Sequence, residues 1–590
     1  MKLSLNGNWS LYFAEAEASN PDISKGLNES GLTYIPATVP GNVEKDLSAA
    51  GYLPSDLYKG MNILQAERFE TFEWWYEKSF TIPAPPCSDE RAVLIFHGVD
   101  CCAEYYLNGK YIGYSDNMLI SHEFDVTDVV EYNCDNTLVV HIKSIATVYE
   151  EDEREPNAYS SEWGIPKFLL NIRKAPHMSG WDIMPRMVSA GIWRNTEIIY
   201  KNKHQIKYLY LITDRIEGGT AKCRLMFDAC APVKYRLACL KTDIILKCGE
   251  QVIHYTFNRD GCTGEQAFDV PDAQLWWPKP YGNPDLYEIT LRLYSDDGIL
   301  DLTKTVRTGI RTLRLRHSDI VEKDGGFEFI INNTKIMAIG TNWVPLDALH
   351  SNDHTRCQKA LELADDIGCN IIRCWGGNVY EDHEFFDFCD EHGIMVWQDF
   401  AMACHCYPQT EKFHNKIKKE AEWIVRELRD HPSIVLWSGD NEIDELFVQL
   451  GKDPATNHIT REVIPRVIER LDQSRPYLPS SPYITAKAMA MGENRQGSQY
   501  YPEDHLWGPR DYFKSEFYKK AGAYFISEIG YHGCPNLQSI EKFTDKDYIW
   551  PYFDNEQWIL HSSDRHGNDG RVMLMHKQVK QLFGARSSAR

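Results

Sequence analysis

The sequence carries little positive charge for its size. Among 590 residues, 63 Lys and Arg stand against 85 Asp and Glu, a formal net charge of −22. Nucleic acid and anionic membrane both require a basic surface, so neither is expected as a partner. Long apolar runs are missing as well. No stretch approaches the roughly 18 apolar residues of a membrane span. The segment Met1 to Trp9 has no apolar core of about 7–15 residues and no small-residue cleavage site, so no secretory leader is expected. The sixteen cysteines show no paired C-x-x-C spacing of a zinc site. They are scattered, apart from the neighbours Cys101 and Cys102 and the close pair Cys404 and Cys406. Read as reduced, mostly buried thiols, they fit a cytoplasmic protein. His405 has no second ligand at i+4 and Cys406 no paired base, so no metal site, cofactor or thiol nucleophile is expected.

What is present is enough apolar residue for sizeable cores, 43% of the chain, at a length that predicts about three domains. Residues 1–204 read as all-β. Glu73–Phe80, Ala92–His97, Ala103–Leu107 and Thr137–Ile142 are short, turn-bounded segments, and Asn108-Gly109 is a hairpin turn. That spacing predicts a jelly-roll sandwich. Within it, Gly180-Trp-Asp-Ile-Met-Pro185 does not look like a strand. It is a loop that places an aromatic, Trp181, beside a carboxylate, Asp182. Residues 205–312 alternate at period two over Lys207–Ile212, Lys222–Phe227 and Leu286–Leu293, which predicts an immunoglobulin-like sandwich.

From 313 to 590 the pattern becomes strand–helix alternation, the sign of a parallel β/α barrel. Strand one is expected at Lys335–Gly340, strand two at Cys369–Trp375 and strand three at Ile394–Trp397. Strands five and six are weakly marked near Tyr477–Ser480 and Gly497–Tyr501. The fourth strand is the most informative. Ile434–Trp437 is apolar without alternation, as a strand buried on both faces should be. It runs into Asp440, Asn441 and Glu442, at the edge where a barrel projects its catalytic groups. A seventh strand, Tyr524–Gly530, carries Glu528 near its end. No apolar strand follows, so the (β/α)8 barrel is expected to be truncated before strand eight and the chain to be part of a longer protein. Two carboxylates facing one pocket from two strands are the equipment for glycoside hydrolysis.

The order jelly roll, immunoglobulin-like sandwich and barrel resembles glycoside hydrolase family 2. The motifs Arg373-Cys-Trp-Gly-Gly-Asn-Val-Tyr-Glu381, Cys389–Phe400, Trp437-Ser-Gly-Asp-Asn-Glu442, Asn342-Trp-Val-Pro345 and Ser527-Glu-Ile-Gly530 are similar to its β-mannosidase branch. The resemblance implies Glu442 as general acid/base and Glu528 as nucleophile. It implies Asn441 on the sugar 2-hydroxyl and Arg373 orienting the nucleophile. Trp375 and Trp397 would line the pocket floor, and Trp181 and Asp182 would reach in from the first domain to bind the sugar's far hydroxyls. Tyr500 would touch the nucleophile. Three departures stand out. Ile183-Met184 replaces a Trp-Gly pair, Ser498-Gln-Tyr500 stands where an Asp-x-His pattern is usual, and no strand-eight aromatic is found.

The expected activity is retaining removal of terminal β-mannose from a mannoside or short oligosaccharide. Two readings stay open beside it: another exo-β-glycosidase of the same family (glucosaminidase, glucuronidase or galactosidase), or a carbohydrate-binding protein without catalysis. The second gives no reason for Asn441-Glu442 and Glu528 together. Oligomeric state is not fixed by the sequence, and a homodimer stays open.

Overall fold

A computed structural model describes residues 1–18, 21–151, 159–160, 170–492, 494–508, 515–530, 533–563 and 570–584. The first β unit is two antiparallel sheets face to face. Six strands run in the order Thr33–Val39, Gly7–Glu15, Phe72–Thr81, Asp135–Ile142, Ala103–Leu107, Lys110–Ser115. Four run in the order Lys2–Ser4, Thr196–Asn202, Glu90–Phe96, His122–Asp125. Leu11, Phe13, Trp74, Tyr76, Leu94, Phe96, Val140 and Ile198 fill the space between them. Lys2–Ser4 pairs with Thr196–Asn202, so the unit opens and closes on adjacent strands.

The second β unit has three strands in one sheet and four in the other, the seven of a constant-type immunoglobulin sandwich. Its strand Thr220–Cys230 alternates half-buried and buried residues throughout, which is the period-two signal in three dimensions. This unit is tied to the barrel by buried polar contacts. Trp276 Nε1 donates to Asp390 O at 2.9 Å, and Arg311 donates to Pro432 O at 2.7 Å and Ile434 O at 2.6 Å. The Trp276-Trp-Pro278 bend is therefore structural.

The barrel contributes seven parallel strands among the described residues. We label them β1 Gly340–Trp343, β2 Ile371–Cys374, β3 Met395–Asp399, β4 Ile434–Ser438, β5 Tyr477–Leu478, β6 Glu503–Leu506 and β7 Phe525–Ile529. β1 to β5 form one continuous sheet, and β6 pairs with β7 in a second. Helices Asp353–Asp366 (α1), His383–His392 (α2) and Glu411–Leu428 (α3) cover the outside. α2 ends on Gly393 at φ 63°, a left-handed cap that a residue with a Cβ adopts only under strain. No strand lies between β7 and β1 among the described residues. Their outer edges approach near the top, where Asn342 Nδ2 on β1 donates to Ser527 O on β7 at 3.1 Å.

Two strands sit away from where the sequence pattern put them. The apolar run Lys335–Gly340 is not strand one. Thr334–Ile336 pairs back antiparallel on Phe327–Ile331. Asn332 and Asn333 make that reversal at φ 49° and 62°, and asparagine tolerates this region better than most residues. Strand six is Glu503–Leu506, not Gly497–Tyr501. Its four residues are all buried although three are ionisable, so hydrophobicity gave no sign of it.

The first unit docks on the barrel through a buried ion pair. Arg173 meets Glu420 of α3 with two hydrogen bonds, at 2.8 and 2.7 Å. Glu420 also accepts from Asn117 Nδ2 and Tyr380 Oη, each at 2.8 Å. A few residues on, His177 N donates to Gly377 O at 3.1 Å, on the loop after β2. These contacts deliver Trp181 and Asp182 to the mouth of the barrel.

Candidate active site

A cavity of about 870 Å³ opens at the C-terminal ends of the barrel strands. Its wall includes Trp181, Asp182, Arg373, Trp375, Trp397, Asn441, Glu442 and Glu528, eight of the nine residues singled out in the sequence. The ninth, Tyr500, does not line it. Tyr500 precedes β6, and its carbonyl accepts from Val321 N at 3.0 Å. The expectation of a contact with Glu528 placed strand six a few residues too early.

Glu442 follows β4 after a short polar tip. Asn441 is clamped between Ala403 and Ser481 by isolated parallel bridges on either side. Glu442 itself sits at φ 60°, ψ 15°, and Glu442 N donates to Ser481 O at 2.9 Å. A glutamate in the left-handed region costs about 1 kcal/mol or more and persists only where its surroundings hold it. That turn aims the carboxylate into the cavity. Glu528 enters from β7. One oxygen of Glu442, one of Glu528 and one ring nitrogen of His505 lie within 4.8 Å of one another.

Arg373 organises the floor. It donates to Glu528 Oε2 at 2.8 Å, Asn342 Oδ1 at 3.0 Å, Asp399 Oδ2 at 2.7 Å and Asn441 Oδ1 at 2.7 Å. Arg373 is 4% exposed, so these are strong, poorly screened contacts. Burial pushes the Asp399 carboxyl up, and although Arg373 opposes this, it settles at about 6. Trp507 Nε1 donates to the other oxygen of Glu528 at 2.6 Å.

Glu442 is held by three side chains that the sequence reading did not pick out. His505 Nδ1 is 2.7 Å from Oε1, Gln496 Nε2 donates to Oε1 at 3.0 Å, and Cys404 Sγ donates to Oε2 at 3.3 Å. Burial pushes the Glu442 carboxyl up. The hydrogen bond and charge of His505, with Cys404 and Arg373, outweigh it and leave the group below its ordinary value. Burial and the adjacent Glu442 push the Cys404 thiol well above its ordinary range, so it is a neutral donor here. His505 and Trp507 were legible in principle. Once Gly497–Tyr501 is released, Glu503-Asp-His-Leu-Trp507 is long enough to serve as strand six, and it puts a Glu-x-His where Asp-x-His was sought.

The tryptophans are walls rather than free platforms. Trp181 and Trp375 meet edge to face, ring centroids 5.1 Å apart at 70°. A Cβ at Gly377 would run into the Trp375 ring, so this glycine is needed for the close approach. Trp397 is 1% exposed and donates Nε1 to Asp399 at 2.9 Å. Asp182 is paired with Arg571, from the helix Gly570–Phe583, at 3.0 Å.

Two clusters among the described residues have the spacing to hold a cation: Glu442, His505 and Glu528, and Asp387, Asp390 and His431. In the second, His431 Nδ1 pairs with Asp390 at 2.7 Å and its Nε2 with His383 at 2.9 Å, so hydrogen bonds already account for the ring nitrogens.

Comparison with known proteins agrees along the chain. Residues 13–194 match the family model described as glycosyl hydrolase 2 galactose-binding domain-like, 237–311 the glycosyl hydrolases family 2 model, and 323–555 the family 2 TIM barrel domain. A β-mannosidase of Mus musculus is 30% identical over 94% of this chain and 65% of its own length. A β-mannosidase B of Aspergillus terreus is 31% identical over 91% and 64%. The chain thus spans just under two thirds of these curated relatives. The crystal structure of a β-D-mannosidase from Dictyoglomus thermophilum superposes with a TM-score of 0.84 at 29% identity, covering 100% of this chain and 69% of that one. An exo-chitosanase of Amycolatopsis orientalis, at 17% identity and a TM-score of 0.68, shares the fold over 99% of this chain and 65% of that one. No helix among the described residues is long and apolar enough to cross a membrane.

Proposed function

The chain belongs to glycoside hydrolase family 2, and from that premise we propose that it is an exo-acting, retaining hydrolase of terminal β-mannosides. One observation carries the reading. Glu442 and Glu528 present oxygens within 4.8 Å of each other around one cavity. Retaining enzymes hold their two carboxyl groups about 5–5.5 Å apart, whereas inverting ones leave about 6.5–9.5 Å for a water.

Glu528 attacks the anomeric carbon as the bond to the aglycone breaks. Glu442 gives its proton to the leaving oxygen, then takes one from the water that cleaves the glycosyl ester. Arg373 and Trp507 each donate one hydrogen bond to Glu528, one to each carboxylate oxygen, and aim it. Asn441 lines the cavity with its Oδ1 held by Arg373 and its Nδ2 donating to Cys404 Sγ at 3.4 Å, which fixes the amide beside the place where the sugar 2-hydroxyl would bind. Trp181 and Asp182 close one side, which favours a chain end over a chain interior. The names of the relatives at about 30% identity support mannose as the sugar. All sixteen cysteines are free and most are buried, which supports a cytoplasmic setting.

The test is a panel of nitrophenyl β-glycosides that differ only in the sugar, with the first-formed anomer read by NMR. The β-mannoside is expected to be cut fastest, with β-mannose released first. Faster cleavage of another sugar would move the specificity. A mannoside bound and never cut would favour the binding-protein reading.

A further inference from the structure

Glu442 is assigned above as an acid, yet its surroundings hold its carboxyl below its ordinary value. An acid that has already lost its proton at neutral pH needs a supply. The imidazole of His505 stands where that supply would have to be. It is fully buried, its Nδ1 2.7 Å from Glu442 Oε1 and 3.7 Å from Glu528 Oε2. Its Nε2 is 3.1 Å from Ser481 Oγ.

Hydrogen-bond bookkeeping fixes the protons. Ser481 Oγ donates to Glu503 Oε1 at 2.7 Å, so its oxygen is left to accept from His505. Nε2 must then carry a hydrogen. The other nitrogen faces a carboxylate oxygen, and two acceptors do not approach to 2.7 Å with nothing between them. One proton therefore lies on the Nδ1–Oε1 line. It belongs either to an imidazolium beside a carboxylate or to a neutral ring beside a carboxylic acid.

We propose that His505 holds the catalytic proton between turnovers and passes it to Glu442. The role rests on the assignment of Glu442 as acid/base and acts through it, so His505 is a positioning residue rather than a catalytic one. At rest Glu442 and Glu528 are carboxylates and His505 is cationic. Moving the proton along the Nδ1–Oε1 line gives a Glu442 carboxylic acid and a neutral imidazole, with Glu528 unchanged and the net charge preserved. In glycosylation the Glu528–carbon bond forms, the carbon–aglycone bond breaks, and Glu442 gives the proton to the leaving oxygen. In deglycosylation water attacks the same carbon, the ester bond to Glu528 breaks, and Glu442 takes the water's proton. That proton returns to His505.

The charges around the ring suit this. Glu442 and Glu528 approach from β4 and β7, Glu503 and Asp504 flank it on β6, and Asp399 of β3 and Glu445 beyond β4 face it. Arg373 on β2 is the opposing cation. Burial pulls the imidazole down, but Glu528 and Glu442 outweigh it and lift it to about 9.

The experiment measures kcat/KM against pH for His505→Gln on two β-mannosides, one with an alkyl leaving group and one with a dinitrophenyl group that needs no acid. The alkaline limb on the alkyl mannoside is expected to fall by about 1.5 units or more, while the dinitrophenyl mannoside at pH 6 stays within about tenfold of wild type. An alkaline limb that does not move overturns the proposal. If glutamine prevents folding, Ser481→Ala frees the Nε2 end and keeps the backbone carbonyl that accepts from Glu442 N. It should shift the same limb down by about half a unit, and no shift there also overturns the role. Incubating wild type with a slow fluorinated β-mannoside separates the two readings. A glycosyl adduct on Glu528 with an unmoved limb removes only His505. Absence of any adduct removes the hydrolase assignment beneath it.

Discussion

Replacing Arg173 with Met should loosen the first domain from the barrel. Arg173 and Glu420 are 1% and 2% exposed on their side chains. Methionine keeps most of the volume and removes the charge and the two hydrogen bonds to Glu420. Glu420 then stays buried with only the neutral donors Asn117 and Tyr380. Breaking a buried pair from one side costs about 3–5 kcal/mol. At about 1.4 kcal/mol per decade, the equilibrium for opening this interface moves by about two to three and a half powers of ten. In a multidomain chain the loss should appear as local undocking before global unfolding. Hydrogen exchange read by mass spectrometry is the assay. Faster exchange is expected in α3 and in the segment around residues 173–188, with the immunoglobulin-like core unaffected. Because that segment carries Trp181 and Asp182, KM should rise with it. The double variant Arg173→Met/Glu420→Leu, which buries no lone charge, should recover most of the protection. A double variant no better than the single, or a single variant with less than about 1 kcal/mol of lost protection, would refute the reasoning.

Two further outcomes follow from the site and the first domain. Trp507→Phe keeps an aromatic side chain, smaller than the indole, and loses the donor to Glu528. A hydrogen bond to a charged group contributes about 1.5–3 kcal/mol, so kcat/KM should fall about 10- to 150-fold with the melting temperature nearly unchanged. A fall of less than about threefold would remove Trp507 from the nucleophile's support. Glu44, 3% exposed, is pushed by burial up to about 7, despite a hydrogen bond from Ser189. Its folded value lies above its unfolded one, so the native state holds this proton more tightly. The stability it supplies is therefore full below about 4.5 and lost as pH rises through about 7. The loss is about 3 kcal/mol. Glu44→Gln should raise the melting temperature of the first domain at pH 8 and leave it unchanged at pH 4. Equal shifts at both would contradict the linkage.

Much of this architecture is legible in the residues because each element obeys one simple rule. The alternation of Thr220–Cys230, the unbroken apolar run of β4 and the glycine that stops α2 each state their own structure. What failed did so where polar chemistry replaces that rule. β6 is a fully buried strand made of Glu503, Asp504, His505 and Leu506, held by hydrogen bonds to Ser481 and Glu442 rather than by apolar packing. Hydropathy cannot see such a strand, and losing it cost the sequence reading both His505 and Trp507. The Asn332-Asn333 reversal was missed for a different reason: an apolar run after it looked like a barrel strand, and only the paired positive φ angles explain why it folds back. The contact of Asp182 with Arg571 joins residues far apart in the chain and had no local signal at all.

The most direct measurement of the central claim is to trap the glycosyl ester. The full chain is incubated with an activated, fluorinated β-mannoside that glycosylates faster than it hydrolyses, and the protein is weighed and mapped by peptide mass spectrometry. The account predicts one added sugar, located on the peptide bearing Glu528 and absent in Glu528→Gln. An adduct on any other residue, or steady hydrolysis of β-mannosides by Glu528→Gln, would contradict it.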